Sequence, residues 1–348
     1  MGSYKINKGD IQRLLENLLK RGLVEGILVQ SKGEKDIFTT LITDPGLINT
    51  TAPLAPLFSS NSAKYLRNNG FKNIAVFVKP CEARAINELI KLNQIRSDNI
   101  LVISADCHGT IDPKDGAISE PLTKAKRKEL EGKGISLRKA CTVCEHFTPP
   151  EVDISIMTIG IDEGYILVTD NDEPLEGLDL EKGEVPKGRD AEIEKMLKER
   201  SENKEKMVSE IRRKLSSVGS LTEVLKNCIR CDNCREMCPI CYCKECYFET
   251  PLGDLKTDEM LYQAVIKGAL RVPPDILFYH LTRNMHVASS CVECGACEEA
   301  CPRDLPLLAL WKAIAGDVQA LFKYASGMKG DEPLPLAGFK ESELEEVK

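Results

Sequence analysis

The run C-x2-C-x2-C-x3-C-P occurs twice in this chain. Cys228, Cys231, Cys234 and Cys238 precede Pro239, and Cys291, Cys294, Cys297 and Cys301 precede Pro302. No other feature restricts the fold as much, because eight thiols in two short runs must be wrapped around metal. It is the bacterial ferredoxin run for two [4Fe-4S] clusters. Iron in such clusters takes soft thiolate ligands, and the short spacing lets one tight loop cover three corners of a cubane. The fourth Cys of each run ordinarily ligates the other cluster. One cluster is therefore expected on Cys228, Cys231, Cys234 and Cys301, and the other on Cys291, Cys294, Cys297 and Cys238. The competing readings are disulfides or a zinc site, but zinc ribbons use four-ligand sets rather than paired runs of this kind. A chain with these clusters moves electrons one at a time.

With 348 residues, 42% of them hydrophobic, the chain is long enough for two or three domains with real cores. Its 15 cysteines far exceed what an ordinary cytosolic protein of this size carries. Met1 to Asp10 is polar and no apolar h-region follows, so no secretory leader is expected. No stretch approaches the roughly 18 apolar residues of a membrane span. Reduced thiols and oxygen-sensitive clusters point to an anaerobic cytoplasm. A net charge of -7 without a basic stripe argues against nucleic acid as a partner.

Along residues 1–189 the pattern is α/β. An amphipathic helix is expected over 9–22, with Ile11, Leu14, Leu15 and Leu18 on one face. Strands are expected at 25–30, 37–43, Asn73 to Lys79 and Asn99 to Ala105, with helices near 61–69 and from Glu82 to Leu92. Two more strands flank the turn Asp162-Glu163-Gly164 within 153–169. Strands alternating with helices predict a mostly parallel sheet. Residues 171–189 read as a surface loop rich in Gly, Pro, Asp and Glu. Residues 190–220 read as a connecting segment whose charged helix, 190–217, is solvated. A mainly helical domain is expected over 221–328, with helices at 257–270, 274–288 and Leu305 to Tyr324. Residues 329–348 form a surface tail.

A second cysteine set lies in the α/β region. Cys81 sits where a strand gives way to a helix, and Cys107 sits just past the next strand. Strand C-terminal ends are where open α/β sheets bind ligands. Cys141 and Cys144 add a C-x2-C pair. Together the four supply the ligands of a third [4Fe-4S] cluster, against the plainer reading of buried free cysteines. Cys241, Cys243 and Cys246 stay open between part of a further cluster, a zinc site completed by His280 or His286, an alternative ligand for a main cluster, and a structural role. His108 and His146, beside cluster cysteines, read as supporting or surface residues rather than catalytic ones. There is no G-x-G-x-x-G after a strand, no Walker A run and no H-E-x-x-H.

Several segments occur together in order: Asn61-Ser62-Ala63-Lys64, Lys79-Pro80-Cys81-Glu82-Ala83-Arg84-Ala85, Asp106-Cys107-His108-Gly109, Cys141 to Phe147 and Asp153-Ile154-Ser155. Cys228 to Phe248, His280-Leu281-Thr282-Arg283 and Cys291 to Pro306 continue the series. In this combination, spanning most of residues 25–340, the chain resembles the coenzyme F-420 hydrogenase/dehydrogenase beta subunit family, and within it the formate dehydrogenase beta subunits. The resemblance implies a flavoprotein-like α/β domain holding FAD near its own cluster. It places the flavin near Asn61, Ser62, Lys64 and Lys79.

The resemblance also implies an oxidoreductase subunit working within a complex. A formate dehydrogenase or hydrogenase subunit would do the substrate chemistry, alongside other redox subunits. This chain would pass electrons between that subunit and a diffusible carrier: F-420, NAD or ferredoxin. Clusters carry single electrons and a deazaflavin or nicotinamide carries a hydride, so a flavin is the natural converter. The alternative is a flavin-free iron–sulfur relay linking two other redox subunits. A cluster-based regulator fits eight ferredoxin-spaced ligands poorly.

Overall fold

The computed structural model describes residues 2–34, 36–67, 72–116, 118–250, 257–268 and 275–338. It divides into two compact units. The first comprises residues 1–204 with Gly327–Glu332, and the second comprises Glu205–Ser326 with Pro333–Lys348.

The first unit is built on a seven-stranded sheet. The strands are β1 (Gly2–Ile6), β2 (Gly26–Lys32), β3 (Ile37–Ile42), β4 (Ile74–Val78), β5 (Ile100–Ala105), β6 (Ile154–Met157) and β7 (Tyr165–Thr169). Their order is β1-β7-β6-β5-β4-β2-β3. β2, β4, β5 and β6 run parallel, and the pairs β1–β7, β6–β7 and β2–β3 are antiparallel. The sheet is thus mixed rather than mostly parallel. Link length decides this, because a parallel crossover needs a dozen or more residues. Residues 33–36 and 158–164 are too short for one, so each forces its strands antiparallel. Gly164 closes the second link at φ +69.

Every residue of β4 (IAVFV) is buried, as expected of a parallel strand covered on both faces. β1 lies in the stretch read as a polar terminus; its register with β7 gives it a place in the sheet.

Helix α1 (Lys8–Lys20) covers the sheet with Ile11, Leu14, Leu15 and Leu18, all at most 1% exposed, against Ile27, Phe77, Ile103 and Ile156. Asn7 and Asp10 cap it reciprocally: the Asn7 carboxamide accepts from the Asp10 N–H, and the Asp10 carboxylate accepts from the Asn7 N–H. Helix α2 (Pro80–Lys91) begins directly after β4. The helix expected at 61–69 is a single 3-10 stretch, Ser62–Leu66, and residues 68–69 lie outside the described ones. α3 (Lys124–Gly132) was not foreseen, and the short α4 (Lys139–Thr142) carries Cys141.

The long charged helix is α5 (Arg189–Lys214). It is not merely solvated, since Arg189, Arg200 and Ile211 are buried. Arg189 grips Asp106, at the end of β5, with both guanidinium nitrogens, Nη1 at 2.5 Å and Nη2 at 2.9 Å. The Asp106 carboxylate also accepts the Thr158 and Ile159 N–H groups. Removing one partner of a buried ion pair strands the other charge. Arg189→Met is therefore expected to lower stability by about 3–5 kcal/mol, read as a shifted urea midpoint. A shift below about 1 kcal/mol would place the pair with weak surface bridges.

The second unit contains α6 (Val218–Leu225), α7 (Asn233–Glu236), α8 (Thr257–Lys267), α9 (Ile276–Val287), α10 (Ala296–Glu299) and α11 (Leu307–Leu321). α8 and α9 match the two expected helical segments, while residues 269–270 and 274 lie outside the described ones. Ile211, Ala309 and Ala313 form a small core with Leu215 and Val224 at its rim. Residues 339–348 of the expected tail are likewise outside the described residues.

Candidate iron–sulfur centres

The two cysteine runs fold alike. Arg230 and Asp232 of the first take left-handed backbone angles, φ +56 and +58. Their counterparts in the second, Glu293 and Gly295, do the same at φ +58 and +76. Three of the four are non-glycine residues in a region that costs them energy, a departure that gathers at functional sites. The left-handed turns let each loop bend back on itself, and the Arg230 N–H points at Cys228 Sγ, 3.4 Å away. A single helical turn follows each loop, α7 carrying Cys234 and α10 carrying Cys297.

Electrostatics shows which thiols stand near one another. The Cys228 thiol is pushed up by burial and further by the charges of Cys234, Cys301 and Cys231. Those four are the set expected on the first cluster, with Cys301 arriving from the other run. The Cys297 thiol is pushed up by burial, and the charges of Cys291 and Cys294 add to this. Burial likewise pushes Cys291 up to about 12. Cys238 stands beside Cys241, whose thiol is raised by their mutual hydrogen bond and then by burial. Iron binds thiolates and displaces their protons, so loading these buried thiols with metal releases protons.

Helix α9 supplies polar partners to the sulfurs. His280 Nε2 lies 3.4 Å from Cys228 Sγ, and burial, aided by the Arg283 charge, pulls the imidazole down to about 3, so it is neutral. Arg283 Nη1 donates to Cys234 Sγ at 2.9 Å and Nη2 to the Cys234 carbonyl at 3.0 Å. The Tyr279 hydroxyl lies 3.8 Å from the same sulfur. Residues 279, 280 and 283 share one helical face, being one, three and four apart. That spacing was readable in the His280-Leu281-Thr282-Arg283 segment. From the other side, Gln319 on α11 and Ser326 beyond its end hold the second loop: Gln319 Nε2 donates to the Cys291 carbonyl at 2.9 Å and Ser326 Oγ at 2.8 Å.

Cys243 is exposed, His286 is exposed on α9, and His280 turns to Cys228 instead. Among the described residues no group of three or more His, Cys, Asp or Glu side chains could hold a single metal ion. His280 is thus not placed to complete a zinc site with Cys241, Cys243 and Cys246.

In the first unit, Cys107 lies just past β5 and Cys141 on α4. Burial and the neighbouring Cys141 charge push the Cys107 thiol up to about 12, opposed by Lys79 and Arg200. Thr110 donates its N–H to Cys141 Sγ at 3.3 Å, and its hydroxyl lies 3.2 Å from the same sulfur. Arg200 lies over the Phe147 ring and donates to the carbonyls of His108 (2.9 Å) and Cys144 (3.4 Å), tying the Cys107 and Cys144 loops together. Gly109, at φ +115, approaches so closely that an added Cβ would meet Leu137 Cδ1 at 2.9 Å. Arg138 and Arg200 were not singled out in the sequence; their signal lay only in tertiary placement. Cys81 opens α2, where the Asn61 carboxamide reaches its carbonyl at 3.5 Å.

Asn61, Ser62 and Lys79 meet at the start of α2. Asn61 caps the turn that follows it, and Ser62 donates its N–H and hydroxyl to Glu82. Glu82 also accepts the Lys79 N–H, so a carboxylate of the chain already occupies this helix N-terminus. The Lys79 ammonium donates to Gln30 Oε1 at 3.0 Å, and Lys64 stands over the Tyr65 ring. Of the four, Lys79 lines a small cavity of about 40 Å³ with Cys107 and His108. His108 and Leu122 also line a larger cavity of about 580 Å³, with Arg127, Lys128, Lys195 and Glu131. That volume lies within the range usual for small-molecule sites. His108 itself is steadied by Thr158 Oγ1 at 3.1 Å.

An α/β unit joined to a helical unit with paired ferredoxin loops defines an iron–sulfur electron-transfer subunit. Residues 224–305 match the 4Fe-4S dicluster domain family. The F420-dependent formate dehydrogenase subunit beta of Methanocaldococcus jannaschii is 30% identical over 370 residues, covering 94% of this chain and 93% of its own length. The F420-dependent formate dehydrogenase 1 subunit beta of Methanococcus maripaludis is 29% identical over 383 residues, covering 95% and 93%. A chain of the F420-reducing [NiFe] hydrogenase complex from Methanosarcina barkeri aligns over 63% of this chain and 93% of its own, with a TM-score of 0.44 and 15% identity. The chain belongs to the family of F420-dependent formate dehydrogenase beta subunits. Among the described residues no helix is long and apolar enough to cross a membrane.

Proposed function

We propose that this chain is the electron-transfer subunit of a formate dehydrogenase-like or hydrogenase-like complex, passing electrons between a catalytic subunit and the deazaflavin F-420. The observation that carries the reading is the pair of cysteine loops with matching left-handed turns inside the dicluster span. Cys228, Cys231, Cys234 and Cys301 hold one [4Fe-4S] cluster, and Cys291, Cys294, Cys297 and Cys238 hold the other. Cys81, Cys107, Cys141 and Cys144 hold a third in the first unit. FAD sits in that unit near Asn61, Ser62, Lys64 and Lys79, the last of which lines the small cavity at Cys107 and His108.

Bound there, FAD supplies the exchange between hydride and single-electron chemistry. The chain's own residues do the rest. Lys79 sets a positive charge beside Cys107, and Arg200 and Arg138 hold the loops that carry the thiolates. Asn61, Ser62 and Glu82 fix the turn at Cys81. In the second unit, Tyr279, Phe248 and Trp311, each at most 3% exposed, keep water from the buried sulfur of Cys234. The complex works in an anaerobic cytoplasm. NAD or ferredoxin in place of F-420 would be read from which carrier reacts.

The test is the absorption spectrum of the full chain purified anaerobically, before and after the clusters are bleached. Stoichiometric FAD released on bleaching is the expected result, with Lys79→Met retaining less of it. Iron without any flavin would leave the plain iron–sulfur relay as the function.

A further inference from the structure

We propose that Arg283 is a positioning residue that sets the reduction potentials of both clusters in the second unit. The inference rests on the ligand assignment proposed above. Arg283 is 4% exposed, enclosed by the faces of Tyr279 and Trp311 with its carbon atom 5.6 and 5.1 Å from their ring centres. Among the described residues no carboxylate pairs with it. A buried cation without an anion is costly, so this one needs a negative partner. The anion at hand is a sulfur, the proposed cluster thiolate Cys234 Sγ at 2.9 Å, with Cys241 Sγ further off at 3.9 Å. Its Nε is buried and makes no hydrogen bond.

The other buried cations of the unit are already answered. Lys312 pairs with Glu293, Arg235 with Glu236 and Glu249, and Arg230 with Asp275. Arg283 is thus the buried positive charge whose balance falls to the cluster thiolates.

Its position is shared. Cys234 belongs to one proposed cluster, and Cys238 and Cys297 belong to the other. Arg283 donates directly to Cys234, and its charge also reaches Cys297. Reducing a cluster adds one negative charge to it. A fixed cation and an N–H···S hydrogen bond in a low-dielectric interior favour the more negative state. Hydrogen bonds to the sulfurs are among the factors that set cluster potentials. Arg283 therefore raises both potentials, that of the Cys234 cluster more.

The experiment is an anaerobic redox titration of the full chain followed by electron paramagnetic resonance. In Arg283→Met the Cys234 cluster is expected to become at least tenfold harder to reduce, a negative shift of about 59 mV for a one-electron couple. The second cluster should shift the same way by less. Arg283→Lys, which keeps the charge but not the fork, should recover most of the shift. Full iron content with unchanged potentials in Arg283→Met overturns the proposal. If Arg283→Met fails to hold iron, wild type carrying guanidinium-15N arginine decides. Hyperfine coupling of 15N to the reduced cluster, lost in labelled Arg283→Lys, is expected, and its absence overturns the proposal. A wild-type second unit without two clusters would instead overturn the ligand assignment.

Discussion

In Cys294→Ala, electrons delivered by a reduced hydride carrier are expected to reach the first unit and go no further. Cys294 is the middle cysteine of the second loop, between the left-handed residues Glu293 and Gly295. Alanine leaves the proposed cluster three of its four thiolates. Reduction of a bound flavin should proceed as in wild type, because the proposed carrier chemistry uses only first-unit residues. Onward transfer to a one-electron dye or to the partner subunit should fall to the level of a protein-free blank. Anaerobic stopped-flow separates the two steps, with flavin absorbance for the first and dye absorbance for the second. Unimpaired dye reduction in Cys294→Ala would mean that this cluster is not on the path. If none of F-420, NADH, NADPH and reduced ferredoxin changes the absorbance of a bound flavin in wild type, the converter role is wrong.

The second large effect is on iron content. The full chain should bind about 12 iron atoms with matching acid-labile sulfide, at four per cubane. Replacing Cys141 and Cys144 together by Ser should remove about 4 of them, since a harder oxygen donor holds such a cluster poorly. The site should respond sharply because its thiols are closely placed: Cys107 is raised by burial and then by the Cys141 charge. Thr110 is also already aimed at Cys141 Sγ. About 8 irons in wild type, or an unchanged count in the double variant, would make these four cysteines structural thiols.

Much of the fold was legible because it depends on local order. The i, i+3, i+4 spacing of Ile11, Leu14, Leu15 and Leu18 marked α1, and the β-branched run Ile74–Val78 marked a buried strand. Sheet direction was less legible. It depends on which strands pair, and the short links at 33–36 and 158–164 make their strands antiparallel, so the sheet expected to be mostly parallel is mixed. β1 was hidden because a five-residue edge strand has little burial signal of its own and acquires its register from β7.

The charged helix shows the same limit from the other side. Its composition reads as solvent-facing, yet Arg189 and Arg200 are buried. A guanidinium goes inside only where a carboxylate, carbonyls or an aromatic face receive it, and Asp106, His108, Cys144 and Phe147 stand more than 50 residues away in sequence.

Spacing by itself determined the metal chemistry of the second unit. Thiolates three positions apart reach neighbouring corners of one cubane whatever surrounds them. What tertiary structure decided is the environment of those thiolates. It brought Cys301 back to Cys228 and Cys234, turned His280 to Cys228, and set Arg283 against Cys234 with no carboxylate partner among the described residues. A covalent spacing constrains distance within a loop, whereas burial and charge at a sulfur are sums over every segment that packs around it.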